Sequence, residues 1–247
     1  VDDNYFTDRI EELQYITQFL SSENHLILIS PRRYGKSSLV RKAVKQTSRP
    51  CVYINLQQVT SIADFSAMII KEIHRIYPWE KLKHILASLR IVPVISSTPT
   101  GDHIEVSFNP QIVSPSTYLE DALELLEKVS TPEKRLIVVM DELQELLEIE
   151  KNIDKRLRAI MQEQKGLNYI FLGSQESMMT DIFERVKSPF YHFGQLMHLD
   201  KIPYDDFFSF ISERMTPIAN EHSEELAAAI LKFTGCHPYY TQQLSAR

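Results

Sequence analysis

The sequence predicts an α/β domain built on a parallel sheet, followed by a smaller helical region. Up to Pro203, short and almost wholly apolar runs alternate with longer segments whose apolar residues recur every three to four positions. Parallel strands are buried on both faces and need a helical crossover between them, which gives this alternation. Beyond Pro203 only the helical spacing continues. We therefore expect a five-stranded parallel sheet covered by helices, then a helical lid.

The apolar runs place the five strands. They cover residues 26–29, 51–55, 136–140, 168–172 and 195–199. Helical spacing first occurs before the first strand, at Ile10, Leu13, Ile16 and Leu20. A helix predicted from Ile62 is broken at Pro78, and a second helical piece follows from about Trp79 to Leu89.

A change of pattern near residue 91 predicts an insertion. Residues 91–96 and 103–108 flank a turn at residues 98–102, and the second run alternates apolar and polar side chains, as a half-exposed hairpin strand does. This hairpin, at about 91–110, is either a docking surface for a partner or a covering for part of the sheet edge, and composition favours the covering. The expected organisation is a core over residues 1–203 and a lid over 204–247.

Length and charge restrict the class of protein. At 247 residues the chain suits one large α/β domain with or without a small lid. The net charge of −6 argues against broad, non-specific binding of nucleic acid. No apolar run reaches the length of a membrane span and no signal-peptide pattern is present, so no membrane association is expected. Two unlinked cysteines, Cys51 and Cys236, suggest a reducing, cytoplasmic setting.

The segment Ser30-Pro31-Arg32-Arg33-Tyr34-Gly35-Lys36-Ser37-Ser38 joins the first strand to the next helix. Backbone N–H groups and the helix dipole at such a junction form an anion site, and Gly35 lets the backbone approach closely. Lys36 can reach the β- and γ-phosphates of a nucleotide, and the Ser37 hydroxyl can hold Mg²⁺. We expect residues 30–38 to bind phosphates. The alternative is an ordinary turn that happens to contain Gly-Lys-Ser.

Two features of this loop leave questions open. Phosphate-binding loops of this kind have glycine at their first position, where this chain has Ser30. A positive φ at that position would strain serine by roughly 1–2 kcal/mol. Arg32 and Arg33 can contact phosphate, remain solvated or pair with acidic residues elsewhere.

The third core strand ends in Asp141-Glu142 and gives a second indication of nucleotide chemistry. Strand ends of a parallel sheet form the ligand crevice, so Asp141 can hold Mg²⁺ through water. Glu142 can orient or deprotonate an attacking water. After the fourth strand, Ser174, or secondly Gln175, can contact the γ-phosphate or that water, or can simply cap a helix.

These residues resemble a known family. The segments Phe6-x-Asp8-Arg9-x-x-Glu12-Leu13, Pro31 to Leu39, Asp141-Glu142, Gly173-Ser174, Ser188 to Tyr191 and Gly235 to Tyr240 are similar to the archaeal-type ATPases, which also occur in bacteria. That family belongs to the STAND class of P-loop NTPases, close to AAA+ proteins. The resemblance implies an AAA+-like core of five parallel strands, a helical lid and a winged-helix domain beyond Arg247.

The resemblance also implies ATP and Mg²⁺ as ligands and a role as an ATP-driven conformational or assembly switch. Phe6, Arg9 and Pro238 would flank the adenine. A protein partner is expected and a homo-oligomer is possible, whereas DNA would be contacted only through the further domain. A non-catalytic nucleotide-binding module and a DNA-associated AAA+ protein remain the alternatives.

Departures from the family pattern bear on turnover. Asp8 stands where glycine or asparagine is common, and Cys236 replaces a glycine. Gly194 is followed by Gln195 where the family often has arginine, and such an arginine can be worth roughly 10³–10⁵ in rate. We therefore expect slow ATP hydrolysis or an arginine from another subunit, with Arg185 a weak candidate within this chain.

Overall fold

The computed structural model describes residues 9–91, 93–97, 104–108 and 114–246. The parallel sheet consists of β1 (Leu26–Ile29), β2 (Cys51–Asn55), β5 (Leu136–Asp141), β6 (Leu167–Gly173) and β7 (Gln195–His198). Two further strands, β3 (Pro93–Ser97) and β4 (Ile104–Phe108), pair antiparallel with each other. The five-stranded parallel sheet and the hairpin predicted from the sequence are confirmed, with strand ends shifted by at most two residues.

Helices connect and follow these strands. They are α1 (Ile10–Leu20), α2 (Lys36–Thr47), α3 (Ile62–Ile76), α4 (Trp79–Leu86), α5 (Pro115–Val129), α6 (Gln144–Ile149), α7 (Ile153–Met161), α8 (Glu176–Phe183), α9 (Tyr204–Ala219), α10 (Ser223–Thr234) and α11 (Pro238–Ser245). Helix α4 ends at Leu86, three residues before its approximate expected end, and turns closed by backbone hydrogen bonds follow it to Leu89.

The strands lie in the order β2-β5-β6-β1-β7, all parallel. Their C-terminal ends therefore share one edge of the sheet. In the register, Ile29 pairs with Gly173 and Leu172 pairs with Asp141. Strand β6 thus separates the loop after β1 from the acidic end of β5, and the residues that follow β6 emerge between the two.

Alternation along β5 directs its residues to two different cores. Ile137 and Val139 pack with α1 and α2, while Val138 and Met140 belong to the larger cluster on the opposite face. By the same alternation Asp141 lies on the α2 side. The pleat of one strand thus aims the acidic side chain at the helix that begins in the loop.

The hairpin lies beside a helix. Its strand β4 contacts α3, Val106 packs on the larger core, and the described hairpin residues hydrogen-bond to each other rather than to the parallel sheet. At its base the buried carboxylate of Asp121 accepts from the backbone N–H groups of Arg90 and Ile91 at 2.6 and 2.9 Å. In the described residues the apolar contact of the hairpin is with α3, and its role as a covering for part of the sheet edge or as a docking surface stays a prediction.

Helices α9 to α11, here called the C-terminal helical region, have a separate small core. Its buried residues are Ile202, Phe207, Ile211, Met215, Ala227, Ile230 and Leu231. The helical region that the sequence predicts after the sheet is confirmed.

Candidate functional site

The loop between β1 and α2 ends at Gly35, the N-cap of α2. Gly35 has φ +92°, a left-handed conformation that glycine adopts without steric cost, and a Cβ there would meet no atom within 4 Å. The backbone conformation, rather than a lack of space, therefore requires glycine at this position. Arg33 also has a positive φ, of +68°. Both left-handed residues help to turn the chain from the strand into the helix.

Ser30 does not have the positive φ that would strain a serine. It is absent from the described residues with positive φ, which in this loop are Arg33 and Gly35. Its N–H donates to the Gly173 carbonyl at 3.2 Å, and its hydroxyl donates to the Pro31 carbonyl at 3.2 Å. Ser30 is fully buried and continues the pairing of β1 with β6.

Asp141 lies beside the first turn of α2. The Ser37 hydroxyl donates to Asp141 Oδ2 at 2.8 Å, and the Tyr53 hydroxyl donates to the same oxygen. The other oxygen, Oδ1, is buried and has no hydrogen-bond partner among the described residues. A buried carboxylate oxygen without a partner is unfavourable, and an ordered water or an ion usually satisfies such an atom.

Glu142 is the most heavily hydrogen-bonded side chain of the site. Its Oε1 accepts from Lys36 Nζ at 2.8 Å. Its Oε2 accepts from the Ser174 N–H at 3.0 Å, the Ser174 hydroxyl at 2.6 Å and Gln144 Nε2 at 2.6 Å. Glu142 has φ +60°, an uncommon conformation for a residue other than glycine, and such strain often occurs at functional sites.

The hydrogen bonds decide the protonation state of Glu142. Burial alone would raise the pKa of this carboxyl, but hydrogen bonds from Lys36, Ser174 and Gln144 outweigh burial, and its pKa lies below its usual value. The pKa of Tyr53 is raised by burial and by the adjacent Asp141 carboxylate, so its hydroxyl remains a donor. Glu142 is therefore ionised at neutral pH while Tyr53 is neutral.

The two loop arginines point to different partners. Arg32 Nε donates to the Ser174 hydroxyl at 3.3 Å, and an Arg32 guanidinium nitrogen lies 4.0 Å from Glu145. The Arg33 guanidinium lies 4.4 Å from the centre of the Tyr239 ring. Arg32 thus lies near an acidic side chain and Arg33 near an aromatic ring, and contact of either arginine with phosphate stays a prediction.

Tyr34 and Arg33 connect the loop to the C-terminal helical region. The Tyr34 ring meets His237 edge-on with ring centres 5.1 Å apart. His237 is the N-cap of α11, and Pro238 is its first residue. Pro238 thus lies next to the loop, and its two neighbours, His237 and Tyr239, make the contacts with Tyr34 and Arg33.

Arg9 lies at the start of α1, with φ +78°. Its guanidinium donates to Glu12 at 2.6 Å and to the Asp200 carbonyl at 2.5 Å, and the residue is 6% exposed. These bonds join α1 to the segment after β7. Phe6, the other residue expected near the adenine on this side, lies outside the described residues.

The position expected to hold an arginine is far from this chain's own loop. Gln195 pairs with Leu26, at the N-terminal end of β1 and therefore about 10 Å along the strand from the loop. A Cβ on Gly194 would come within 2.5 Å of the His25 carbonyl oxygen, which explains the glycine. Arg185 is 70% exposed and lies 3.8 Å from Asp181. Gln195 therefore lies away from the phosphate loop of its own chain, and slow hydrolysis or an arginine from another subunit stays a prediction.

Sequence reasoning missed Tyr53 and Gln144. Gln144 is two residues after Glu142, so its position beside the acid was available as a signal. Tyr53 lies in a different strand, and no local pattern indicates that β2 pairs with β5. Ser174 donates to Glu142 and does not cap α8, whose N-cap is Gln175 without a side-chain hydrogen bond. Its contact with the γ-phosphate or the attacking water stays a prediction.

The described residues fit a nucleotide with a divalent cation. The loop provides the N-terminus of α2 and a lysine, and an oxygen pair from Ser37 and Asp141 suits the ligands that Mg²⁺ takes. The unpartnered Asp141 Oδ1 supplies the free acceptor that a metal-bound water needs. No group of three or more His, Cys, Asp or Glu side chains that could hold a metal alone occurs in the described part of the chain. Phosphate oxygens and water would complete the coordination.

This sheet order, with a Gly-Lys-Ser loop after β1 and a helical C-terminal region, defines a P-loop ATPase fold. The family model described as an ATPase domain predominantly from Archaea matches residues 6–244. The chain belongs to that family of ATP-binding ATPase domains.

Relatives and solved structures agree with this assignment. An uncharacterized ATP-binding protein of Pyrococcus horikoshii is 26% identical over 194 residues, which are 74% of this chain and 59% of the relative. The chain therefore spans less than two thirds of that protein. The Walker-type ATPase PABY2304 of Pyrococcus abyssi superposes with a TM-score of 0.67 at 18% identity, over 96% of this chain and 66% of its own.

Two further solved structures share the fold at lower identity. The Aeropyrum pernix ORC1 protein, solved in complex with DNA, gives a TM-score of 0.57 at 13% identity, over 88% of this chain and 52% of its own. The Holliday junction branch migration motor RuvB of Thermotoga maritima gives a TM-score of 0.54 at 11% identity, over 98% of this chain and 62% of its own. Within the described residues, every helix is too short or too polar to cross a membrane.

Proposed function

We propose that this domain binds ATP with Mg²⁺, hydrolyses it, and uses the nucleotide to switch the state of its C-terminal helical region. One observation carries the proposal. Lys36 and Ser37, consecutive residues at the start of α2, each lie 2.8 Å from one of two consecutive carboxylates, Glu142 and Asp141. The loop motif and the Asp141-Glu142 motif lie about a hundred residues apart in the chain, yet their side chains meet in one crevice. A turn that contained Gly-Lys-Ser by chance would not explain this meeting.

The first part of the proposal is phosphate and metal binding. Residues 30–38 wrap the phosphates, and Lys36 neutralises charge between the β- and γ-groups. Ser37 and, through water, Asp141 hold Mg²⁺. When bound, the metal offsets the negative charge that develops on the phosphoryl oxygens.

The second part is hydrolysis. Glu142, ionised and fixed by Ser174 and Gln144, orients a water or takes its proton. Ser174 lies between Glu142 and Arg32 and is placed to sense the γ-phosphate. Arg32 is 62% exposed and can swing onto that phosphate, so this chain has an arginine of its own for the role. The base is adenine, supported by the ATP-binding relative, and we place it near Phe6, Arg9 and Pro238.

The third part is the switch. Contacts of Arg33 and Tyr34 with Tyr239 and His237 support it, because movement of the phosphate loop must displace α11. We accordingly divide the chain into a nucleotide core (1–203) and a lid (204–247), as in the STAND class. A protein partner, another copy of the chain or both would respond to the lid.

Two free cysteines support a cytoplasmic location. We assign any DNA contact to a further winged-helix domain.

ATP turnover by the chain and by Glu142→Gln tests the proposal. Phosphate release should require Mg²⁺ and fall by about 10²–10⁴-fold in the variant, the usual contribution of a general base. Glu148→Gln is the matched control, since it makes the same change at an exposed position of α6. Equal rates for wild type and Glu142→Gln would remove Glu142 from the mechanism.

The second candidate is a binding module without catalysis. It is favoured by the buried Lys36–Glu142 pair, which keeps both groups occupied with each other. Tight ATP binding by calorimetry, with no turnover even at high protein concentration, would establish the module and exclude the hydrolase.

A further inference from the structure

We propose that Tyr53 is a positioning residue for the metal site: its hydroxyl fixes the Asp141 carboxylate so that one oxygen is presented to Mg²⁺. The inference rests on the proposed function and goes beyond it, because Tyr53 is not part of the phosphate loop or of the acidic strand end. Its basis is the pattern of hydrogen bonds on the two carboxylate oxygens.

The pairing of β2 with β5 brings Tyr53 to Asp141. Tyr53 pairs with Val139 and Asn55 pairs with Asp141, so the tyrosine lies two residues below the acid on the neighbouring strand. Tyr53 and Val139 both belong to the core on the α2 side. Side chains two residues apart on one face of a pleated sheet lie within reach of a long aromatic residue. The Tyr53 ring spans that distance, and its hydroxyl meets the carboxylate.

The two oxygens of Asp141 have different roles. Oδ2 accepts from both Ser37 and Tyr53, while Oδ1 is buried without a partner among the described residues. An aspartate with a single donor could rotate about its terminal bond and exchange its oxygens. Two donors that approach Oδ2 from α2 and from β2 prevent this rotation, so Oδ1 keeps a fixed direction.

The ring of Tyr53 is itself supported. The Arg41 guanidinium lies 3.7 Å from the ring centre, a cation–π distance. Arg41 is one turn after Ser37 on α2. The helix that supplies the metal-binding hydroxyl therefore also holds the aromatic ring that orients the carboxylate. Hydrogen-bonding partners behind metal ligands act in this way, and their loss weakens metal affinity by about 10–100-fold.

Tyr53→Phe is the sharpest test, because it removes one oxygen and keeps the ring beneath Arg41. Calorimetry with ADP in excess chelator gives metal-free affinity, and Mg²⁺ titration of the ADP complex gives the metal midpoint. We expect unchanged metal-free affinity and a Mg²⁺ midpoint raised about 10–100-fold. Tyr169→Phe is the control, since it also removes a buried tyrosine hydroxyl. That hydroxyl belongs to β6, donates to Gln164 at 2.5 Å and makes no contact with the metal site. It should lower Tm and leave the Mg²⁺ midpoint unchanged.

A double-mutant cycle with Asp141→Asn separates positioning from general stability. If Tyr53 acts through Asp141, adding Tyr53→Phe to Asp141→Asn should not raise the Mg²⁺ midpoint further. All measurements are made below each variant's own Tm. If Mg²⁺ changes wild-type ADP affinity and Tyr53→Phe has the wild-type midpoint, this inference is overturned. If wild-type ADP affinity does not depend on Mg²⁺, the proposed metal site itself fails, which is a distinguishable result.

Discussion

The Lys36 ammonium and the Glu142 carboxylate form an ion pair of 2.8 Å between the start of α2 and the end of β5, and both side chains are less than 10% exposed. A buried pair of this kind gains little net stability, because desolvation of both charges offsets their attraction. In the proposed site Lys36 also binds phosphate. Bound phosphates and Glu142 would then compete for the same ammonium group.

The first prediction follows from that competition. Glu142→Gln should bind ATP about ten-fold more tightly than wild type while losing turnover, because a neutral amide holds Lys36 less strongly. Calorimetry with Mg²⁺ and ATPγS measures the affinity. Lys36→Ala should show no detectable binding, and Glu148→Gln should bind as wild type does. Weaker binding by Glu142→Gln would contradict the competition.

The second prediction concerns acid stability and His25. Burial, followed by the charges of Arg135 and Arg158, lowers the pKa of His25 from 6.5 to about 4. The unfolded chain therefore binds a proton that the folded chain does not, and the free energy of unfolding should fall by about 3 kcal/mol between pH 6.5 and 4. Urea unfolding at several pH values measures this loss.

His25→Asn should flatten that dependence, since Asn can replace the ring nitrogen that accepts from the Tyr169 N–H. His84→Asn, at an exposed position of α4, should retain the wild-type slope. Glu142 affects only the acid end of this range. Its pKa is lowered by folding, so its stabilising contribution is present above its unfolded pKa and is lost as pH falls through its folded pKa.

The third prediction compares two loop positions. Ser30→Gly should leave nucleotide affinity close to wild type and reduce stability by about 0.5–1 kcal/mol, because Ser30 has an unstrained backbone and glycine adds entropy to the unfolded chain. Gly35→Ala should cost about 1–2 kcal/mol through backbone strain alone and should disrupt phosphate binding. Thermal unfolding with and without Mg²⁺ and ADP distinguishes the two. A large loss of affinity in Ser30→Gly would show that the hydroxyl has a role in binding.

The fourth prediction tests the link between the loop and the C-terminal helical region. Tyr239→Ala removes the ring beneath Arg33 and should reduce stability by about 0.5–1 kcal/mol, the range for an exposed cation–π contact. In wild type, Mg²⁺ and ATPγS should alter hydrogen exchange in α9 to α11, and in the variant this response should diminish while affinity persists. Tyr204→Ala, at an exposed position of α9, is the control. An unchanged response in Tyr239→Ala would exclude this contact as the link.

The sequence was sufficient for the elements and insufficient for their arrangement. Strand and helix positions depend on local periodicity, and the apolar run at residues 26–29 predicts the first strand correctly. The neighbour of Asp141, by contrast, depends on which strands pair. Nothing near Tyr53 or Asp141 in the chain indicates that β2 and β5 lie side by side, so their hydrogen bond could not be predicted.

Backbone conformation was the other source of error. Ser30 stands where glycine is usual, which predicts a positive φ at that position. The residues of the site with a positive φ are instead Arg33, Gly35 and, at the strand end, Glu142. Arginine and glutamate give no sign in the sequence of a positive φ, because neither residue type favours it. Surrounding contacts impose the conformation, as the hydrogen bonds of Glu142 do.

The contact between Tyr34 and His237 also has a thermodynamic consequence. If nucleotide binding moves α11 by some free energy, then any molecule that binds α11 changes nucleotide affinity by the same free energy, since linkage is reciprocal. A partner that holds the helices could thus retain or expel nucleotide without touching the phosphate loop. The identity of that partner can be sought by adding candidate molecules and measuring the dissociation rate of a fluorescent nucleotide.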